Sequence, residues 1–139
     1  MTPDDLADVL ERAFSRRRPT FAREFQLQER IVDELRVGPG SPVWGGPLYP
    51  LVSREHRLGA RDRADLFVRY RTEPGSPGIA VEVKTAGGLP DVAEQLLRYA
   101  EHDEVAGILL VTTKSAHLQI PSILLGKPCR VLCISHYLL

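Results

Sequence analysis

Ala64-Asp65-Leu66-Phe67-Val68 and Ile79-Ala80-Val81-Glu82-Val83-Lys84 are the stretches that decide how this chain folds. Each is a short apolar run of strand length, and Thr72-Glu73-Pro74-Gly75-Ser76-Pro77-Gly78 between them is dense in turn residues. Side chains two apart on a strand share a face. Glu82 and Lys84 therefore project together, while Val81 and Val83 pack on the other side. Asp65 interrupts the preceding run in the same way. An antiparallel pairing of the two strands, which the turn suggests, lets Asp65 lie beside Glu82.

Working outward, a strand over Leu48–Leu58 precedes this pair, with Pro50 near its start where proline is tolerated, and Gly59-Ala60-Arg61-Asp62 turns the chain. Two helices come first. Thr2 can cap the first, Pro3 suits its opening position and Asp4 and Asp5 favour its positive end. Leu6, Val9, Leu10, Ala13 and Phe14 form one apolar stripe, and Pro19 ends it. The second helix runs from about Thr20 to Leu35, with Gly38-Pro39-Gly40-Ser41-Pro42 as its terminator. Its broad apolar face carries Phe21, Phe25, Leu27, Ile31, Val32 and Leu35. Glu24 falls inside that face, which is costly for a carboxylate without a partner. It either reaches water or an arginine at the helix edge, or is directed at a metal.

Downstream, Gly87-Gly88-Leu89-Pro90 leads into a third helix over Asp91–His102. Gly107–Thr112 is a nearly continuous apolar strand, the pattern of a sheet covered on both faces. Ala116–Leu125 fits neither element cleanly because Pro121 interrupts it, and Cys129–Ile134 is a final short strand. The expected architecture is a single α/β domain spanning residues 1–139, a mixed central sheet flanked by helices.

Composition excludes several classes. The 139 residues suffice for one core, and the hydrophobic and charged fractions, 43% and 26%, are those of ordinary globular domains. No apolar run approaches the roughly 20 residues needed to span a bilayer, so no membrane partner is expected. The acidic start lacks the features of a secretory signal, so a cytoplasmic location is expected. Formal net charge is zero, so no global field draws nucleic acid. The cations are nevertheless mostly arginine, which suits bidentate phosphate contacts. Arg16–Arg18 run together, and Arg54, Arg57, Arg61, Arg63, Arg69 and Arg71 crowd one stretch. Such a crowd is either a solvated surface or a phosphate-contacting patch, and the Arg16–Arg18 run suits a helix C-terminus. Cys129 and Cys133 lie four apart, not in a CxxC, and read as reduced core residues. The four histidines are dispersed without metal-ligand spacing.

The chemistry lies in the charged residues of the two deciding strands. Two carboxylates brought together in an apolar sheet repel, and one is driven toward protonation unless a cation lies between them. Two carboxylates with water or main-chain oxygens make a hard-ligand site suited to Mg²⁺. A neighbouring ammonium can orient or deprotonate an attacking water and stabilise charge on a pentacovalent phosphate. Together these describe phosphodiester hydrolysis. A same-face ion pair with only a structural role is the competing account.

Asp65, followed seventeen residues later by Glu82-Val83-Lys84, resembles the PD-(D/E)xK nuclease superfamily. Gln95-Leu96-Leu97-Arg98-Tyr99 in the next helix is similar to the QxxxY motif of its RecB-like branch, with Gln95 and Tyr99 on one helix face. The resemblance runs from Glu24 to the strand ending at Thr112. It implies a restriction-endonuclease-like fold and a deoxyribonuclease using Mg²⁺, with Mn²⁺ able to substitute. Asp65 and Glu82 would be metal ligands, with the Val83 carbonyl as a third, and Lys84 the catalytic lysine. Glu24 matches the acidic residue such folds place on an early helix, and Glu55 competes for that role. Gln95 and Tyr99 would position DNA or the site, and Arg63 would contact phosphate. Ala64 replaces the motif's proline. The cysteine quartet of iron–sulfur relatives is missing, as is a helicase domain.

A role in recombination, repair or defence follows from the resemblance. So does assembly as a homodimer or within a larger DNA-processing complex, which no residue specifies. The rival is a binding module of the same fold with weak or no turnover, acting through protein or DNA contacts. Neutral net charge weakens the case for a strong independent grip on DNA, while the retained acidic and lysine residues argue against a pure scaffold. A third account is an α/β domain in which Asp65, Glu82 and Lys84 form a structural ion network.

Overall fold

A computed structural model describes residues 1–36, 50–70 and 75–138. The Gly38–Pro42 terminator, the expected strand start at Leu48, Arg71 and the first part of the Thr72–Gly78 turn lie outside the described residues.

The chain begins with α1 (Pro3–Arg16). The Thr2 hydroxyl accepts from the Asp5 N–H at 3.2 Å while the Thr2 N–H donates to Asp5 Oδ2 at 2.7 Å, a reciprocal cap worth about 1 kcal/mol. The stripe read from the sequence is buried: Leu6, Leu10 and Phe14 are fully enclosed. Arg30 closes the other end of α1, donating to the carbonyl of Arg17 at 2.8 Å and lying over the Phe14 ring.

Helix α2 spans Glu24–Leu35 and so starts four residues later than expected. Gln26 explains the difference: its side-chain oxygen accepts from the N–H groups of Ala22 and Arg23 at 2.7 and 3.0 Å. Those amides are thereby satisfied outside the helix, which can begin at Glu24. Phe21 thus precedes the helix and only packs against the core, and Phe25 is exposed, a correction to the expected face.

Strands β1 (Leu51–Leu58), β2 (Asp62–Arg69) and β3 (Gly78–Lys84) follow. Then come α3 (Leu89–Ala100) and β4 (Val105–Thr112). A 3₁₀ turn (Ser115–Gln119), the two-residue β5 (Ile123–Leu124), β6 (Lys127–Cys133) and a last 3₁₀ turn (Ser135–Tyr137) complete the chain. The stretch that fitted neither element is thus a 3₁₀ turn plus an edge strand.

Among the described residues, six strands form one open mixed sheet in the order β1-β2-β3-β4-β6-β5. β1, β2 and β3 pair antiparallel, β3, β4 and β6 pair parallel, and β5 is antiparallel to β6. Helices cover both faces. Ile79, Val81 and Val83 of β3 join Leu109 and Val111 of β4 in a core under α1 and α2. Ala80, Ile108 and Leu110 join Leu96 and Tyr99 in a second core under α3. This double coverage is what made β4 read as continuously apolar. Cys129 is buried in the second core as a free thiol, and burial pushes it up to about 11. No helix among the described residues is long and apolar enough to cross a membrane.

One irregularity positions the site. Leu66 and Val68 pack under α1 and α2, so strict alternation would send Ala64 there too; instead it lies in the α3-side core. β2 therefore changes face at Asp65. β1 makes the matching change between Val52 and Leu58. Glu55 sits between Arg54 and His56, which pair with Leu66 and Ala64, and has φ 51°, a left-handed conformation unusual for a residue with a Cβ. The β2–β3 ladder stops at Leu66↔Val81, one step before Asp65.

Candidate active site

Where the β2–β3 ladder stops, side chains replace it. The Asp65 N–H donates to Glu82 Oε1 at 3.2 Å, and the Val83 N–H donates to Asp65 Oδ2 at 2.8 Å. The face change at Asp65 thus places two carboxylates between diverging strands, each holding a backbone amide of the other's strand. Glu82 is only 3% exposed. It lies on the α3 side of β3, and Lys84 Nζ approaches its Oε2 at 3.3 Å. The same-face projection of Glu82 and Lys84 read from strand period is present in the fold.

Helix α3 supplies the rest of the shell. Gln95 and Tyr99, one turn apart, face the sheet together. Gln95 Nε2 donates to Glu82 Oε2 at 3.1 Å and to the Tyr99 hydroxyl at 2.9 Å. The Tyr99 hydroxyl has one proton and two acceptors within reach, the Arg63 carbonyl at 2.6 Å and Glu82 Oε1 at 3.0 Å. Burial, with the Glu82 charge beside it, pushes the phenol well above its ordinary value, so it serves as a neutral hydroxyl. Gln95 and Tyr99 therefore hold Glu82 itself.

The electrostatics follow from this crowding. Burial first, and the Glu82 charge second, push Asp65 up to about 7 from its ordinary 3.8; Glu24 adds to the rise and Lys84 opposes it. Burial also raises Glu82, against the pull of Lys84 and its hydrogen bonds. The pair holds more negative charge than one lysine balances.

Glu24 opens α2, and its Oε2 accepts from the Thr85 N–H at 3.1 Å and the Thr85 hydroxyl at 3.2 Å. The carboxylate set inside the apolar face thus anchors the chain immediately after Lys84. Thr85 has no sequence signal beyond following the motif. Glu55, the other candidate for the auxiliary acid, is exposed and faces Arg63 at 3.6 Å. Among the described residues no three His, Cys, Asp or Glu side chains converge as a ready metal cage. The structure brings together Asp65 and Glu82, with Glu24 close enough for its charge to act on Asp65.

A second polar cluster borders the first. Asp62 Oδ1 accepts from Arg98 Nε at 3.2 Å, and Asp62 Oδ2 lies 2.9 Å from His102 Nε2. Gly59, in the β1–β2 turn with φ 67°, lies against that imidazole; a Cβ there would come within 2.9 Å of His102 Cε1. Elsewhere, buried His117 joins Thr112 Oγ1 at 2.6 Å to the Gly87 carbonyl at 2.9 Å, tying the β3–α3 loop to the end of β4. His56 stacks on Phe67.

Comparison with known proteins finds no family model, no curated protein and no solved structure that matches the chain.

Proposed function

We propose that the chain is a metal-dependent deoxyribonuclease of PD-(D/E)xK type, with a restriction-endonuclease-like fold and Asp65, Glu82 and Lys84 as its reactive set. The observation that carries this reading is the buried Glu82 carboxylate with the half-buried Asp65 carboxylate against it, without enough counter-charge. Two acids forced together in a sheet interior cost stability, and a purely structural cluster has no need of them.

The donor set suits a hard divalent cation such as Mg²⁺. Asp65 and Glu82 are oxygen donors with unbalanced charge, and Mg²⁺ retains waters, so it needs only one or two protein carboxylates. Asp65, Glu82 and the Val83 carbonyl would hold it, with Glu24 as an acidic neighbour. Bound there, the ion would supply an activated water and charge neutralisation at phosphorus. Lys84, paired with Glu82, would orient an attacking water and offer positive charge where negative charge develops. Gln95 and Tyr99 keep Glu82 in place, and the Tyr99 hydroxyl links it to the backbone of Arg63, a candidate phosphate contact.

One observation favours a second reading, a nuclease-fold binding module without turnover. Glu82 already receives contacts from Asp65 N, Lys84, Gln95 and Tyr99, and a saturated carboxylate can serve as a structural hub.

The deciding experiment is cleavage of labelled linear, circular and branched DNA with Mg²⁺ or Mn²⁺, with EDTA and Lys84→Ala as controls. Metal-dependent cutting that disappears in Lys84→Ala is the expected result. A folded protein that cuts none of these with metal present would sink the nuclease reading in favour of the module.

A further inference from the structure

The arginine crowd of the sequence does not stay together in the fold. Arg69 lies over the Phe67 ring. Arg57, Arg61 and Arg63, from the β1–β2 hairpin, instead meet Arg98 of α3 around an open basin of about 440 Å³. Asp62, Ala60, Gln95 and Tyr99 complete its wall. Four guanidinium-bearing side chains and one carboxylate thus line this basin in a chain whose formal net charge is zero.

These cations are not equally neutralised. Arg98 pairs with Asp62, and Arg63 faces Glu55. Arg57 and Arg61 have no carboxylate partner among the described residues, and both are exposed. The basin therefore keeps a local excess of positive charge presented by planar, five-donor groups that match phosphate oxygens. Its position gives the excess a use. Gln95 and Tyr99 belong both to the basin wall and to the shell of Glu82. A group seated in the basin is thus one side chain away from the Asp65–Glu82 pair.

We propose that this basin is an anion site that takes a phosphate of a DNA strand and, through it, sets where the strand lies relative to the carboxylate pair. The nuclease reading enters only in the choice of DNA as the strand; the basin's charge and shape stand without it. Arg57 and Arg61 provide the uncompensated grip, and Arg63 and Arg98 border it. Because the excess is local, attraction is short-ranged and falls steeply with salt.

The test is fluorescence-anisotropy binding of labelled single-stranded DNA in EDTA, so that cutting plays no part. The variants are Arg57→Ala/Arg61→Ala and, as a matched charge control on α1, Arg12→Ala/Arg16→Ala. Circular dichroism melts check that each variant folds. The basin variant should bind about tenfold or more weakly at low salt, with the log–log salt slope reduced by roughly 1.4, as for two lost single-strand phosphate contacts. The control should bind like the wild type. Competition with circular strands, 5′-hydroxyl ends and 5′-phosphorylated ends identifies the occupant. Equal competition assigns an internal phosphodiester and preference for phosphorylated ends a terminal monoester, and both support the site. Wild-type affinity in the basin variant, an equal loss in the control, or no wild-type binding at low salt would each overturn it. Basin-dependent binding by a protein that cuts nothing with Mg²⁺ would instead retain the site and remove the nuclease reading.

Discussion

Asp62 and Asp65 stand three residues apart on one strand and are held in opposite ways. Asp62 is met by His102 and Arg98, and the hydrogen bond from His102, with that from Arg98, holds its carboxyl below the ordinary value despite burial. Asp65 is half-buried against Glu82 and is pushed up to about 7. The first is an acid with a guanidinium counter-ion and a histidine hydrogen bond in place. The second lacks a full counter-charge, and that lack separates a group that stabilises the fold from the one the proposed mechanism uses. The same strand carries both because β2 changes face at Asp65, turning it toward Glu82 instead of toward Arg98 of α3 and His102.

The largest effect expected from this contrast is on catalysis. Under the proposed mechanism, Lys84→Ala should lower DNA cleavage by about a hundredfold or more, measured as single-turnover rate with Mg²⁺. Retained cleavage in that variant would break the assignment of the Asp65–Glu82 cluster to chemistry.

Stability should respond with opposite signs at the two aspartates. Asp65 has its folded value above the ordinary 3.8. Its contribution is therefore fully present below about pH 3.8 and is lost as pH rises through about 7. Asp65→Asn removes that loss and can still accept from Val83, so it should melt higher than wild type at pH 8, by about 3–6 °C. The gain should vanish by pH 4. Asp62 is the reverse: its stabilisation is present above the ordinary 3.8 and fades as pH falls through its lowered value. Asp62→Asn should therefore melt lower than wild type at neutral pH, with the deficit closing in acid. Thermal melts across pH would show two curves of opposite slope, and parallel curves would refute the contrast. Adding Mg²⁺ at pH 8 should raise the wild-type melting temperature and leave Asp65→Asn unmoved, because only a ligand that prefers the native state stabilises it.

A smaller effect is expected at Tyr99. Tyr99→Phe keeps the ring in the core but deprives the Arg63 carbonyl and Glu82 of a shared donor, a cost of about 1–3 kcal/mol in urea unfolding. The smallest should come from Glu55 and Arg63, each 55% exposed at 3.6 Å. A double-mutant cycle there should give a coupling below about 1 kcal/mol.

Much of the site was legible because strand period alone places Glu82 and Lys84 on one face and a short turn returns Asp65 to them. Helix spacing did the same for Gln95 and Tyr99. Their target was not legible, since a pattern that points two side chains at a sheet does not say which carboxylate receives them. The face change was hidden as well. It depends on Glu55 adopting a left-handed backbone, and glutamate gives no local signal for that. The start of α2 was misplaced because a glutamine side chain, not a standard cap residue, satisfies the amides before it. β5 escaped because two residues carry no periodicity. The basin could not be read either, since its arginines come from a hairpin and from a helix far along the chain and meet only in the fold.

The irregular Glu55 has a further consequence, for growth of the sheet. An open sheet can add strands only at its margins, and among the described residues β1 and β5 are the two. β5 offers two residues, too few to template a stable addition. β1 is eight residues long, but the left-handed backbone of Glu55 breaks its run of amides and carbonyls, and charged Arg54 and Arg57 disfavour a further strand there. A flat partner strand would lose register at that point. The left-handed residue of β1 that lies opposite Asp65 therefore also protects the longer margin against edge-to-edge association.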